Sequence, residues 1–158
     1  MVEFTLVGIP IIFVLISIFE MARGMWIYHT LAHAVREGTR YAIVHGQNCS
    51  QPPNQCQTNV AQVAARIRDA GAGLLPDRLM ITMTTVSSTV GPATLNALLS
   101  QTGTIFPSGA GSQPGNNVAI TATYPFTSAI AMFWPGGGPG SNFATVNLPA
   151  SSTDRIQF

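Results

Sequence analysis

Sixteen consecutive residues, Phe4 to Phe19 (FTLVGIPIIFVLISIF), carry no charge and are closed at the two sides by carboxylates, Glu3 and Glu20. As a helix rising 1.5 Å per residue this run spans about 24 Å, short of a hydrocarbon core of about 30 Å. Extension to Tyr28 reaches that length only by taking Glu20 and Arg23 into the segment. Their i, i+3 spacing lets them pair on one helix face and lowers the cost of burying them. Met1 to Glu3 contain no basic residue, so they supply neither the n-region of a secretory signal nor the positive flank of an N-in topology. The segment is therefore read as part of the mature protein, and a short basic leader is expected ahead of Met1 in the unprocessed chain.

Nothing interrupts the helical pattern beyond Glu20. Met21, Met25, Tyr28, Ala32 and Val35 recur at intervals of three and four, and Trp26 and Tyr28 suit a membrane interface. One long helix from about residue 4 to residue 44 is the simplest reading, with Gly46 as its stop. Pro10 lies inside it and is expected to kink it, or to break its hydrogen-bond ladder near Leu6.

The rest of the chain cannot be helical throughout, because the protein holds 15 Gly and 11 Pro. Asn59 with Gln62 resembles a capping box, and Val60, Val63, Ala64 and Ile67 make the apolar stripe of a short helix over 60–70. Leu79, Ile81 and Met83 alternate with Met80, Thr82 and Thr84 as a first strand; Val118, Ile120, Ala122 and Tyr124 mark a second, ended or edged by Pro125. Residues 92–100 fit a short helix, 106–115 a loop, 134–140 (WPGGGPG) a turn-rich excursion, and 143–148 and 153–158 two more strands. The expected fold is α+β: an N-terminal helix over 1–45 carrying a head over 46–158 with a short helix and an antiparallel sheet.

Chemistry is sparsely represented. All seven basic residues are Arg, and they are scattered, so no basic stripe exists to follow a run of phosphates and nucleic acid is not an expected partner. His29, His33 and Glu37, four apart, share one helix face without a nearby third ligand or base, and read as a polar stripe rather than a metal site. His45 has no GxSxG-type elbow to serve. Asp69, Asp77 and Asp154 each adjoin an arginine (Arg68, Arg78, Arg155), which fits solvated surface pairs better than acid–base work. Gly136 to Gly140 lack the Lys and Ser/Thr of a phosphate loop, and Phe133 with Trp134 reads first as packing, then as an adhesive patch. No catalytic set and no cofactor site is expected.

Cys49 and Cys56 enclose SQPPNQ, whose two prolines force a bend. A disulfide closing this tight loop is the preferred reading, with two free thiols as the alternative; oxidised, the loop lies outside the cytoplasm. Glu3 opens an apolar helix with no Lys or Arg within a turn. Two accounts of it stand: a cation supplied by the α-amino group of its own or a neighbouring chain, or an interfacial position favoured by the helix dipole.

Val2-Glu3-Phe4, the aliphatic run with Pro10, Glu20 with Arg23, and Ala34 to Ala42 (AVREGTRYA) together resemble the N-terminal region of TadE-like pilins and pseudopilins of tight-adherence (Tad/Flp) type IV pilus systems. The resemblance covers about the first 45 residues; beyond them it extends only to layout, with a YPF element at Tyr124 to Phe126 and a closing strand at Ser151 to Phe158. It implies a leader removed by a prepilin peptidase, insertion in the inner membrane with the head outside the cytoplasm, and extraction by the Tad machinery into or beneath an extracellular filament. Partners would be copies of the chain or other pilins. In such pilins an acid near the mature start neutralises a neighbour's N-terminal amine, and Glu3 matches it in motif though not in number. Helix pairing would involve Glu3, Glu20, Arg23, Arg36, Glu37 and Arg40. Two non-enzymatic roles follow: a structural pilus subunit with a head for surface attachment, or an inner-membrane pseudopilin that promotes polymerisation of another pilin.

Overall fold

The computed structural model describes residues 2–45, 57–128 and 145–157. Helix α1 (Val2–Val44) is followed by α2 (Val60–Ala70), β1 (Met80–Thr85), β2 (Thr89–Thr94), α3 (Leu95–Leu99), a 3-10 turn at Gly109–Ser112, β3 (Asn117–Thr127) and β4 (Thr145–Arg155). The four strands form one antiparallel sheet in the order β2-β1-β3-β4. The architecture is thus α+β, a long helix joined to a head.

Helix α1 runs through Pro10 without interruption. The ring has no N–H, so the Leu6 carbonyl necessarily loses its i+4 donor there. The capping box on α2 is complete: Gln62 N–H donates to Asn59 Oδ1 at 2.8 Å, and Asn59 N–H donates to Gln62 Oε1 at 3.3 Å. Asn59 also holds the following loop, its Nδ2 donating to the Thr102 carbonyl at 2.9 Å. Phe106, fully buried, closes that loop against the core.

The head's core is built from three layers of contact. Leu31, Ala34, Val35 and Ala42 come from α1, Val60, Val63, Ala64 and Ile67 from α2, and Ile81, Met83, Val118 and Ile120 from the inner face of the sheet. Helix α1 lies along β3 and β4. Its Arg23 meets Thr127 at one end of β3, and its Ile43 carbonyl accepts from Gln157 N–H at the other end of the sheet. Twenty helical residues and ten strand residues both span about 30 Å, so the helix and the strands match in length.

Of the stripe Met21, Met25, Tyr28, Ala32 and Val35, only Val35 is buried and Ala32 half-buried. Met21, Met25 and Tyr28 are exposed, and the face turned inward is Gly24, Ile27, Leu31, Ala34, Val35, Gly38 and Ala42. Apolar residues occur around the whole circumference of this helix, so their spacing does not single out one face. At Gly38 the helix comes so near α2 that an added Cβ would lie 2.4 Å from Ile67 Cγ1.

The sheet departs from expectation at three places. Residues 89–94, within a stretch read partly as helix, form β2, where Gly91 adopts φ +99° beside the register shift between Ile81 and Met83. A Cβ at Gly91 would lie 2.5 Å from the Ile81 carbonyl oxygen, so only glycine fits this irregularity. Second, Pro125 edges β3 rather than ending it: the strand continues to Thr127, because β1 ends opposite Thr123 and, among the described residues, leaves that side of β3 open, where proline is tolerated. Third, the two separate strands expected over 143–148 and 153–158 are, within the described residues, the single edge strand β4, which carries Pro149 opposite Thr123.

The Gly38 contact predicts that Gly38→Val lowers the stability of the full chain by about 2 kcal/mol, since the β-branched group must displace the buried Ile67. Gly24→Ala meets only Phe126 at 3.7 Å and gains helix propensity, up to about 1 kcal/mol. Urea denaturation in detergent micelles, followed by circular dichroism, should move the two midpoints in opposite directions; an unchanged midpoint for Gly38→Val contradicts the close approach.

Candidate functional site

Below the head, α1 has no protein partner among the described residues. Phe4 is 85% exposed, Leu6 73% and Phe19 74%, and Ile9, Ile11, Ile12, Phe13, Val14, Leu15 and Ile18 are all exposed as well. Exposure all round the helix, at residues that water does not favour, is the signature of a segment whose solvent is lipid or other helices. The helix is long and apolar enough to cross a membrane, with a mean hydropathy of 2.1 in a window that lies wholly outside the head's core. Glu3 stands exposed in its first turn.

The free part of α1 ends where the head begins, at Glu20 and Arg23. Arg23 Nη2 lies 3.4 Å from Glu20 Oε2 and also donates to the Thr127 carbonyl, and the guanidinium carbon sits 4.8 Å above the Phe126 ring. One side chain therefore ties the helix to the end of β3 by a hydrogen bond and a cation–π contact, while its ion pair stays within the helix. Gly24, one residue on, gives the Phe126 ring room to lie against the helix. Continuation of the membrane segment to Tyr28 would bring this junction with it, so the apolar length available below the head is close to the sixteen-residue run. A mismatch of about 6 Å with an average bilayer follows, of the size that membranes accommodate by thinning.

Glu37 and Arg40 form a second i, i+3 pair, also at 3.4 Å, but its side chains are 38% and 68% exposed. Beside it, Arg66 stacks over the Tyr41 ring at 4.9 Å, and these residues with Asp69 line a shallow cleft of about 480 Å³ between α1 and α2. Arg36 is exposed on α1. Glu37 is thus engaged with Arg40, while His29 and His33 are exposed, and no group of three metal-ligating side chains comes together among the described residues. Arg68 and Asp69 pair at 2.9 Å on the surface as expected, whereas Asp77 accepts from the Asn96 side chain. Cys49, Cys56, Phe133, Trp134 and Gly136 to Gly140 lie outside the described residues.

The contact of Arg23 with Phe126 and Thr127 joins residues more than one hundred positions apart. No sequence reading pointed to it; in the YPF element, noted only as shared layout, Tyr124 is buried and Phe126 receives the arginine.

Residues 1–40 match the family model described as TadE-like protein. The match takes in the free apolar run and most of the part of α1 that packs on the head, and none of the sheet. It associates the chain with the Tad pilus system and is consistent with anchoring in a membrane. No curated protein and no solved structure matches the chain.

Two arginines in similar ion pairs should therefore behave differently. Arg23→Ala removes the cation–π contact and a charge-assisted hydrogen bond to the sheet, and is expected to cost about 1–2 kcal/mol after allowance for its partial exposure. Arg40→Ala removes only an exposed pair and should change stability by less than about 0.5 kcal/mol. Urea titration of both variants in the same micelles separates them, and equal losses would remove the special place of Arg23.

Proposed function

We propose that the chain is a non-enzymatic structural subunit of a Tad-type pilus. It assembles through the apolar part of α1 and exposes the head for attachment to surfaces. The observation that carries this reading is the helix itself. Its upper part belongs to the core of a folded head, and its lower part is apolar on every side with no protein partner among the described residues. In the inner membrane lipid covers that lower part; in a filament the helices of neighbouring subunits replace the lipid, and buried apolar area stabilises the assembly. The TadE-like match over the same residues supports the same role.

In this reading Glu3 meets the N-terminal amine of a neighbouring subunit, and Arg36, Glu37 and Arg40 lie on a helix surface free to meet adjacent subunits. The face of the sheet away from the helices carries Thr82, Thr84, Thr121, Thr123, Ser151 and Thr153, a hydroxyl-rich surface suited to contact outside the cell. Cys49 and Cys56 form a disulfide in the oxidising compartment where the head resides. A prepilin peptidase and the Tad machinery process and extract the subunit. The second reading, an inner-membrane pseudopilin that promotes polymerisation of another pilin, is favoured by the brevity of the match, which is confined to the helix.

Filaments sheared from cells that make the protein separate the two roles. Mass spectrometry of that fraction is expected to recover the chain abundantly, with a trimmed N-terminus at or just before Met1 and a linked Cys49–Cys56 peptide. Recovery in the inner membrane alone would transfer the role to the assembly factor, and an untrimmed leader would contradict pilin processing.

A further inference from the structure

At the base of the head, just above the free part of α1, lies an open cleft of about 330 Å³. Its walls come from three separate segments: Arg23, Trp26 and Ile27 of α1, Gly73, Leu75 and Arg78 of the loop after α2, and Tyr124 to Thr127 of β3. Among the described residues two guanidinium groups and no carboxylate line it. Glu20 engages Arg23 from outside the cleft, leaving one net positive charge across the three groups. Trp26 is 68% exposed and Leu75 53%, and Arg23 and Arg78 are exposed as well, so apolar, aromatic and cationic groups open together onto the surface.

The height of the cleft is set by the helix. Arg23 stands about 6 Å above Phe19, and Trp26 about 10 Å above it, at 1.5 Å per residue. Each interfacial layer of a bilayer is about 5–8 Å thick, the difference between its full and hydrocarbon thickness shared between two faces. With the apolar run in hydrocarbon, Arg23 stands at the depth of the lipid phosphates, Arg78 lines the same cleft, and Trp26 lies just beyond that layer on the head side.

We propose that this cleft binds the phosphodiester headgroup of an anionic phospholipid. Arg78 and Arg23 contact the phosphate oxygens, and the exposed Trp26 and Leu75 flank the headgroup. Guanidinium groups suit phosphate oxygens because their N–H donors form a planar fork. A zwitterionic headgroup would bring an ammonium or choline to a site whose two arginines outnumber its one adjacent carboxylate, Glu20, so an anionic lipid is the better fit. The site seats the head on the bilayer before assembly, and extraction would require the lipid to be released. The proposal rests on the membrane-anchored reading above.

The test uses the full chain in a zwitterionic detergent, titrated with phosphatidylglycerol or phosphatidylcholine. Native mass spectrometry counts bound lipid, and vesicle flotation reports anchoring. Arg78→Gln is the informative variant, because Arg78 is exposed and outside α1; Arg155→Gln, at the opposite end of the sheet, is the control. The proposal expects one retained phosphatidylglycerol, weaker retention of phosphatidylcholine, and a loss of about tenfold or more in Arg78→Gln alone, equivalent to about 1.4 kcal/mol, with flotation intact in every variant. Equal retention of both lipids, or undiminished retention by Arg78→Gln, overturns the site while leaving anchoring in place. Displacement of the lipid by an equal concentration of glycerol 3-phosphate overturns the lipid as its occupant. Failure of the wild-type chain to float overturns the anchored reading and the site with it.

Discussion

The structure depends on a single helix that faces two different solvents. Its upper half supplies one wall of the head's core, and its lower half presents large apolar side chains in every direction. Burial of each such side chain is worth about 1.5–3 kcal/mol, so the lower half represents tens of kcal/mol that the isolated chain cannot recover. Lipid or neighbouring helices must recover it. A chain of this design joins a packed head to an apolar segment that is covered by nothing else among the described residues.

Because the same helix serves both environments, the way the head is held on it decides how the head is presented. Two contacts fix that attachment. At Gly38 the absence of a side chain lets α1 and α2 approach until Ile67 fills the space between them. At Arg23, some 22 Å lower at 1.5 Å per residue, one guanidinium joins the helix to the end of β3 through Phe126 and the Thr127 carbonyl. The first contact is apolar and buried, the second polar and half exposed, at the level where a membrane would end. Together they set the helix along the length of the sheet, so motion of the helix is transmitted to the head.

The parts legible in the sequence were those governed by local rules. The long helix followed from an unbroken run of compatible residues, α2 from its capping box, and β1 and β3 from a period-two alternation of apolar side chains with mostly threonine. What escaped was decided over longer distances. The inward face of α1 could not be read because Met21, Met25 and Tyr28 are as apolar as Leu31 and Val35, and only the position of the sheet distinguishes them. Strand β2 was hidden by Gly91 and Pro92, residues that argue against a strand until the bulge opposite Ile81 is known. The junction at Arg23 was half visible: its pairing with Glu20 followed from spacing, while its contacts with Phe126 and Thr127 depend on how the chain returns. The family resemblance in the first 40 residues, also found by comparison, points to the helix and leaves the head to be understood from its own packing.

The central claim, that the lower half of α1 has no protein face of its own, is tested most directly by nitroxide labels placed singly from Ile9 to Ile18 in the chain reconstituted in phospholipid vesicles. The account predicts that every position is accessible to oxygen and shielded from a water-soluble nickel chelate, with no helical period, whereas a label at His33 on the head's outer surface is open to nickel. A 3.6-residue alternation along the run, or nickel access within it, would mean that the segment rests against protein or water, and would contradict the account.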